Sequence, residues 1–324
     1  MTGHTLVRDD AALRALRPEW DALWHRVPGA SPFQHPDWLL PWWQQFGTGQ
    51  PRVACTHRGA RLTGILPLYV LDEAAPRLLP IGAGTSDHLD ALLEPGIPID
   101  ALLHPLLSES YPCDLIELPP GAALLALSAS SGWHAAWRDD SACPVLALPG
   151  TIEALCGTVP ARTLRKLRMN RNRAERAGGA LIETATADTL APLLSELIGL
   201  HQARWTTAGE PGSFADPRVA AHLTESAPAL LAGGLLRLQA LRLHGEVAAV
   251  TLALLAPGRI LFYLSGFDAT RAFESPGTLL LGAMLEEAVR EGRREADFLR
   301  GGEAYKYAWG ATDRRNRACR LNRL

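Results

Sequence analysis

Hydrophobic residues recur at three- and four-residue spacings in two stretches near the N-terminus. Leu13, Trp20 and Trp24 share one face if residues 9–27 form a helix, and a second apolar face follows over residues 36–46. Five of the nine tryptophans lie between positions 20 and 43. An aromatic stripe at this spacing is typical of a core or a domain interface, so the pattern predicts two packed helices here.

Beyond position 50 the pattern changes to short apolar runs separated by turn residues. Such runs predict strands, and Arg58-Gly59 between the first two predicts a hairpin. The strands predicted in this part are 53–57, 62–71, 77–81, 114–118 and 145–148. The first half of the chain is therefore expected to combine a helical start with a sheet.

The second half repeats this order, with helices first and strands afterwards. Helices are predicted over 160–177, 189–206 and 217–232, and strands over 235–243, 247–255 and 259–264. A helix over 276–291 and a strand over 296–299 then complete a strand–helix–strand unit. In such a unit the helix N-terminus lies beside the carboxyl end of the first strand, where backbone N–H groups favour an anion. The alternative interpretation of Ser275-Pro276-Gly277 is a plain helix start.

A weak internal repeat relates the two halves. The segment THRGARLTGILPLYVL resembles RLHGEVAAVTLALL, which follows it by roughly 180 residues. Two copies of one mixed α/β fold explain a period of this length better than a solenoid does. We therefore predict two domains, residues 1–150 and 151–324, divided near Pro149-Gly150.

Composition excludes several classes of protein. The 324 residues carry a net charge of -2, which gives no global reason to bind nucleic acid. The five cysteines are widely spaced without a C-x-x-C pair, so neither a disulfide framework nor a metal site is expected. No apolar stretch is long enough to span a membrane, and Arg8, Asp9 and Asp10 stand where a signal peptide would be apolar. We expect a cytoplasmic protein; P-loop, Rossmann, zincin and α/β-hydrolase motifs are missing from the sequence.

Four sequence blocks carry a family resemblance. GFDATRAFESPGTLL, ADFLRGGEAYKYAW, LHQARW and GEPGSF are similar to the CelD/BcsL family acetyltransferases of bacterial cellulose and exopolysaccharide biosynthesis. That family resembles in turn the Fem-type peptidyltransferases, which carry two GNAT acyltransferase domains in one chain. The resemblance is strong over residues 160–310 and weaker in the first half. It implies an α/β fold with a mixed sheet, built from two tandem GNAT-like acyltransferase domains of which the first is degenerate.

The resemblance implies an enzyme, an N-acyltransferase that uses acetyl-CoA or another acyl-CoA. Its acceptor would be a small-molecule or sugar-linked amine, held between the two domains. The donor site is implied at Ser265, Gly266, Phe267, Arg271, Ser275, Pro276, Gly277 and Thr278. The loop RAFESPG departs from the usual GNAT phosphate loop because it supplies only the last glycine and adds Glu274. An acyl carrier protein or an aminoacyl-tRNA is the alternative donor, although the coiled-coil arm of Fem-type enzymes is missing, which disfavours tRNA.

Acyl transfer needs a proton acceptor for the amine, N–H donors for the oxyanion, and a proton or positive charge for the leaving thiolate. The backbone around Gly266 is the expected source of N–H donors. We predict that Lys306 stabilises the oxyanion or the thiolate, since an ammonium acts as a point donor. Glu303 is the expected proton acceptor, with Tyr305 beside it. The alternative for Lys306 is an exposed lysine on a C-terminal helix.

Acceptor contacts are predicted from residues in both halves. They are His201, Arg204, Trp205, Asp87, Asp90 and Arg300. For His201 the alternative is a core histidine, because it lies on the apolar face of its helix. The two aspartates are equally good turn formers.

One stretch of the chain is strongly basic. It contains Arg162, Arg165, Lys166, Arg168, Arg171, Arg173 and Arg176 against a single acidic residue, Glu175. Because these charges are expected to surround the helix, a solvated helix is the default interpretation. Phosphates of a nucleotide-sugar, a lipid or CoA are the alternative partners. For the whole chain, the alternative to an enzyme is a non-catalytic tandem GNAT that binds an acyl-CoA or a polysaccharide-synthesis partner.

Overall fold

The computed structural model describes residues 2–109, 111–127, 133–207 and 209–323. The chain forms two compact units. The first comprises Met1–Ala142 together with Arg314–Leu324, and the second comprises Cys143–Asp313. Both units are of mixed α/β composition.

Helices and strands alternate along the chain. The strands are β1 (Thr2–Val7), β2 (Pro51–Arg58), β3 (Arg61–Leu71), β4 (Arg77–Pro80), β5 (Leu92–Leu93), β6 (Cys113–Leu118), β7 (Trp133–Ala147), β8 (Ala180–Thr184), β9 (Leu236–Leu243), β10 (Glu246–Ala256), β11 (Arg259–Phe267), β12 (Glu295–Asp297) and β13 (Thr312–Arg323). The helices are α1 (Asp10–Ala15), α2 (Arg17–Arg26), α3 (Pro36–Phe46), α4 (Ile99–Leu103), α5 (Ala161–Arg176), α6 (Leu190–Thr207), α7 (Pro217–Ala232), α8 (Pro276–Arg290) and α9 (Ala304–Ala308).

The sheet of the first unit follows the order β1-β2-β3-β4-β6-β13-β7. Strand β4 runs parallel to β6, whereas β1, β2 and β3 pair antiparallel with their neighbours. The predicted aromatic stripe is buried, with Trp20, Trp38 and Trp42 at 1%, 0% and 2% exposure. These helices therefore anchor the first unit through its core.

Residues 9–27 are predicted as helical, with Pro18 able to start a new turn, and they form two helices, α1 and α2, which divide at Leu16. The Asp9 carboxylate accepts the Ala12 N–H at 2.8 Å and so caps α1. Pro18 lies in the first turn of α2, where its missing N–H needs no partner. The proline thus starts a new helix and does not merely bend a long one.

In the second unit the strand order is β7-β12-β11-β10-β9-β8, with residues 145–147 of β7 paired to β12. Strands β11 and β12 run parallel, and α8 makes the crossover between them. Leu167 of α5 and Met284 of α8 share one hydrophobic core with the sheet residue Ala253. Helix α6 contacts β11 at Gly266, on the face of the strand opposite to the one that faces this core.

Four strands are missing from the predicted elements, namely β1, the two-residue β5, β8 and β13. Strand β8 is an edge strand whose residue Leu181 is 64% exposed, so it has no apolar alternation to detect. Strand β13 is rich in arginine, and its register against β6 shifts between Arg317 and Cys319. The shift interrupts the two-residue period on which a strand prediction depends.

The predicted division at residue 150 differs from the two units at both ends. Strand β7 carries the chain from one unit to the next at residues 142–143, and β13 returns it at 313–314. Residues 314–323 belong to the first unit because β13 pairs with β6, as in the match of Cys319 with Leu115. The division into domains 1–150 and 151–324 stays a prediction.

Candidate functional site

A pocket of about 370 Å³ opens in the second unit where β11 and β12 separate. The two strands pair only at residues 259–261 of β11, after which β12 ends and β11 continues to Phe267. Tyr263 is an extra residue in β11, since Leu252 pairs with Leu264 but Ala253 pairs with Phe262. A bulge of this kind bends the strand and re-aims its side chains. The divergence therefore leaves one edge of β11 facing the pocket.

The start of α8 forms the second wall of the pocket. Ser275 has a left-handed backbone with φ 53°, and Pro276, Gly277 and Thr278 follow in the first helical turn. The Thr278 N–H donates to the Ser275 carbonyl at 3.0 Å, whereas the Gly277 N–H meets no acceptor among the described residues. An unbonded N–H at the positive end of a 15-residue helix favours an anion.

Gly266 fixes the position of β11 against α6. A Cβ at this residue would lie 2.6 Å from the backbone nitrogen of His201 and 2.8 Å from the Leu200 Cβ. Only glycine allows the helix to approach the strand this closely. The glycine predicted as part of the donor site is therefore also needed for packing behind the pocket wall.

Arg204 of α6 lines the pocket. Among the described residues, it is the one charged residue in the pocket lining. Its Cζ lies 5.0 Å from the ring centroid of Phe267 and 5.4 Å from that of Trp205. The half-buried guanidinium makes no hydrogen bond or ion pair with any residue that the structure describes. A cation held on aromatic rings without an anionic partner is available to a ligand.

His201 and Trp205 support Arg204 and lie behind the pocket, not in its lining. The Trp205 Nε1–H donates to His201 Nε2 at 3.0 Å, and the ring of Phe214 stands edge-on to His201 at 5.0 Å. Burial, and then the charge of Arg204, lower the pKa of His201 to about 4, so the imidazole is neutral. The blocks LHQARW and GEPGSF thus pack together, with Phe214 contributed by the second block.

The block ADFLRGGEAYKYAW forms a clamp between β12 and α9. Lys306 is 2% exposed, and its ammonium donates to the carbonyl oxygens of Leu299, Arg300 and Gly301 at 3.2, 2.7 and 3.2 Å. Glu303 Oε2 lies 2.9 Å from the same nitrogen. From the other side, the Asp297 carboxylate accepts the Leu299 N–H at 2.8 Å. We refer to Asp297, the residues 299–301, Glu303 and Lys306 as the β12–α9 clamp.

The clamp changes the role expected of Lys306. Its ammonium is directed at the loop backbone, and neither Lys306 nor Glu303 lines the pocket. Gly301 has φ 113°, and a Cβ there would lie 2.4 Å from the Glu303 carboxylate, so the loop requires glycine at this point. Arg300, predicted as an acceptor contact, supplies its carbonyl to Lys306. Direct catalysis by Lys306 and Glu303 stays a prediction, and positioning is the role that the contacts support.

The clamp holds Phe298 and Tyr305, which do line the pocket. Their ring centroids are 6.2 Å apart in an edge-on arrangement. Burial and the nearby Glu303 raise the pKa of Tyr305 to about 12, against the opposing charge of Arg204. The phenol is therefore protonated at neutral pH and is a hydrogen-bond donor at the pocket wall.

The remaining predicted residues lie elsewhere. Arg271 is outside the pocket lining, and its guanidinium pairs with Asp268 at 3.3 Å and Glu274 at 3.6 Å. In the first unit, the Asp90 carboxylate accepts the N–H groups of Ala91, Ala123 and Leu124 at 2.7–3.1 Å. Those contacts explain Asp90 as a turn former, which was the alternative interpretation. Asp87 is buried at 8% exposure, and its carbonyl accepts from Asn316.

Several pocket residues escaped sequence reasoning. They are Thr251, Phe262, Tyr263, Leu264, Ala272, Leu281, Phe298 and Trp309. Phe298 lies between clamp residues and Trp309 just beyond them in the same sequence block, and their nearness to the predicted residues was a usable signal. No periodicity distinguishes the others from core residues. In the part of the chain that the structure describes, no group of three or more His, Cys, Asp or Glu side chains is arranged to hold a metal ion.

The topology and the pocket define a class of fold. Each unit has a mixed sheet in which one parallel strand pair interrupts antiparallel neighbours, and the fold is that of two tandem GNAT-like units. Residues 161–307 match a family model described as "Acetyltransferase (GNAT) domain". The matched segment contains the clamp and the pocket-lining residues other than Trp309, but it covers less than half of the 324 residues.

Solved structures share the fold over nearly the whole chain. The crystal structure of FemX superposes with a TM-score of 0.68 at 12% identity and covers 94% of this chain and 95% of its own. A conserved protein of unknown function from Bacteroides thetaiotaomicron gives 0.63 at 14% identity, covering 98% and 100%. L-PGS from Bacillus licheniformis gives 0.61 at 13% identity, covering 96% and 91%. A comparison with curated proteins found no match.

These findings establish a GNAT-type fold with Fem-type neighbours. The narrower CelD/BcsL resemblance stays a prediction, because the match is to the GNAT domain as a whole. Identities of 12–14% carry the fold and nothing about substrates. In the described residues, moreover, no helix has both the length and the apolar character that a membrane crossing requires.

Proposed function

We propose that the second unit is an N-acyltransferase that moves an acyl group from acyl-CoA, with acetyl-CoA as the first donor to test, to an amine. The observation that carries the proposal is the Gly277 N–H, unbonded at the start of α8 and facing a pocket beside the free edge of β11. Phosphates of the donor would bind at this helix end. Amide groups of its pantetheine arm would extend the sheet at β11.

The residues present fit such a donor in chemistry and size. The pocket walls are mostly apolar, and about 370 Å³ accommodates an extended thioester arm. The departure in the loop RAFESPG has a local explanation, since Arg271 and Glu274 pair with each other and the helix end is left to Gly277. Loss of the usual glycines therefore removes backbone N–H groups from the loop but not from the helix start.

The transfer step forms one bond and breaks one. The neutral amine nitrogen attacks the thioester carbonyl carbon, the carbon–sulfur bond breaks, and an amide and free CoA are produced. The amine gives its proton to solvent or to Glu303 through water, and the thiolate finally takes up a proton. We propose that the Tyr305 hydroxyl donates a hydrogen bond to the negative charge that develops on the thioester oxygen. Tyr305 lines the pocket, and its hydroxyl stays protonated.

For the acceptor we propose an amino sugar or an amino-acid-like amine that also carries an anionic group. Arg204 supports this choice, because it is a pocket cation without an anionic partner among the described residues. A role in exopolysaccharide or envelope synthesis is part of the same proposal and is carried by the family resemblance alone.

Release of free thiol tests the proposal. Purified protein is incubated with acetyl-CoA and a panel of amino sugars and amino acids, and a thiol reagent reports free CoA. Acceptor-dependent release is expected. Saturable binding of CoA by calorimetry, with no release for any acceptor, would instead support the second candidate, a non-catalytic tandem GNAT that binds acyl-CoA.

A further inference from the structure

Helix α5 presents a basic face that the rest of the second unit leaves uncovered. Its buried side contains Leu167, Asn170 and Ala174, which lie within about 60° of one another at 100° per residue. The exposed side chains of the helix include Arg162, Arg165, Lys166, Arg168, Met169, Glu175 and Arg176. At 100° per residue the seven cations spread over about 220° of the helix, as the sequence pattern predicts, and the exposed ones cover the part of the surface that the core leaves open.

Most of these cations have no partner. Arg162, Arg165, Lys166 and Arg168 make no hydrogen bond or ion pair with any described residue. Neighbouring cations on a helix repel each other, and Glu175 is the one acidic residue of α5, so this arrangement costs free energy unless something anionic covers it. The net charge of the whole chain is -2, so this density is local and does not reflect composition.

Two apolar side chains project from the same face. Met169 is 54% exposed and Phe273 is 75% exposed. Arg173 joins them, because its Cζ lies 3.9 Å from the Phe273 ring and its guanidinium donates to the Phe273 carbonyl at 2.6 Å. An open groove of about 460 Å³ lies along the helix beside Met169, Asn172, Arg173, Arg176 and Ala177. We call the exposed side of α5 together with Phe273 the α5 basic face.

We propose that the α5 basic face binds the surface of a bilayer that contains anionic phospholipids. The arginines and Lys166 would lie at the level of the phosphates, and Met169 and Phe273 would enter the interface. Apolar tips among cations match the apolar and anionic layers of a bilayer interface, and a nucleic acid is the competing occupant that the test includes. Phe273 lies between Ala272 and Ser275, which both line the pocket, so binding would bring this wall of the pocket close to the membrane surface.

The test uses the full chain and vesicles of defined composition. Sedimentation is measured with vesicles of equal parts phosphatidylglycerol and phosphatidylcholine, and with phosphatidylcholine alone. The test variant is the triple change Arg165→Gln, Lys166→Gln and Arg168→Gln. The control removes three exposed charges from the first unit, through Arg14→Gln, Arg58→Gln and Arg323→Gln. Thermal melts confirm that both variants are folded.

We expect binding to the anionic vesicles only, and a loss of about fivefold per removed charge, hence about 100-fold for the test variant. The control should retain its affinity within about threefold. Phe273→Ser should weaken binding and make the remainder more sensitive to salt, because the apolar part is lost.

Three results would overturn the proposal. They are no binding to either vesicle, equal binding to neutral and anionic vesicles, or an equal loss in the control variant. A fourth result would also overturn it: a single-stranded oligonucleotide that displaces the protein from the vesicles at matched charge concentration would identify a nucleic-acid surface. None of these readings depends on thiol release, so this proposal and the proposed enzymatic function can fail separately.

Discussion

The carboxyl ends of β4 and β11 follow the same pattern in the two units, yet the cavities that the described residues form beside them differ greatly in size. Each strand is followed by a parallel partner, β6 in the first unit and β12 in the second. The cavity at the end of β11 measures about 370 Å³, and the one at the end of β4 about 10 Å³. One fold thus carries an open site in one copy and a filled one in the other.

The filling of the first unit can be followed through its contacts. Gly82, with φ 103°, turns the chain after β4, and a Cβ there would lie 2.7 Å from both Leu39 Cδ2 and Ser86 Oγ. The Trp38 indole N–H donates to the same Ser86 hydroxyl at 2.9 Å. Helix α8 begins soon after β11, whereas the segment after β4 packs against α3 through Leu39 and Trp38. A degenerate copy can therefore keep its sheet and lose its site through one loop.

The largest effect should come from breaking the clamp that holds the open site. In Lys306→Ala, three carbonyls and Glu303 lose a buried partner, and we expect the free energy of unfolding to fall by about 3–5 kcal/mol. Urea titration measures the fall. Tyr307→Phe, on the same helix but at an exposed hydrogen bond, is the control and should cost under about 1 kcal/mol.

The same variant separates a lysine that only stabilises the fold from one that takes part in catalysis. Where Lys306→Ala is fully folded, a lysine that only stabilises the fold gives a near-normal kcat per folded molecule, and one that positions Tyr305 gives a lowered kcat that Tyr305→Phe does not lower further. A loss of about 10²–10³-fold in both kcat and kcat/KM under those conditions would restore the direct role predicted from the sequence.

A change of pH should alter the stabilities of the two units in opposite directions. Burial raises the pKa of Asp90 to about 7. Between pH 4 and 7 the folded first unit therefore keeps a proton that the unfolded chain has released. The free energy of unfolding of this unit should fall by up to about 4 kcal/mol over that range. The lowered pKa of His201 acts the other way, because the unfolded chain binds the proton first, and the second unit should lose stability as the pH falls from 6.5 to 4.

Hydrogen exchange, resolved by peptide and corrected for intrinsic rates, follows each unit across this range. Asp90→Asn and His201→Gln should each flatten the response of their own unit and leave the other unchanged. Parallel responses in both units would contradict the assignment.

A larger side chain at the start of α8 should weaken CoA binding without unfolding the protein. In Gly277→Val the new Cβ meets the nearest Phe267 atom at 3.5 Å, which is an ordinary contact, so we expect a normal melting temperature. The added methyl groups crowd the helix end, and CoA affinity should fall by at least about 30-fold, or about 2 kcal/mol. Calorimetry with CoA measures this. The exposed helix-internal Gly199→Val on α6 is a control with open space around it.

The smallest effect concerns the charge at the pocket edge. Arg204→Gln should raise the KM of an anionic acceptor found in the thiol assay by about tenfold, while the affinity for CoA is unchanged. If CoA binding weakens instead, Arg204 belongs to the donor site. Arg204→Lys should restore part of the loss, since the charge is kept and the planar donors are not.

How much of this follows from the sequence depends on the range of the contacts involved. The strand–helix–strand unit and its helix end were predictable, because the period of apolar residues and the pair Pro276-Gly277 are local signals. The direction of the Lys306 side chain was not, since it depends on a loop with left-handed residues at Leu299 and Gly301. Strand β13 was missed because its burial comes from pairing with β6, far away in the chain.

The placement of β13 has a consequence for how the protein is made on the ribosome. Residues 314–323 complete the sheet of the first unit but are translated after the whole of the second. Vectorial synthesis usually lets an N-terminal domain fold before its successor. Here the earliest-made unit must wait, with β6 lacking its neighbour, until the last-made strand emerges, so the later-made unit is the first that can finish folding.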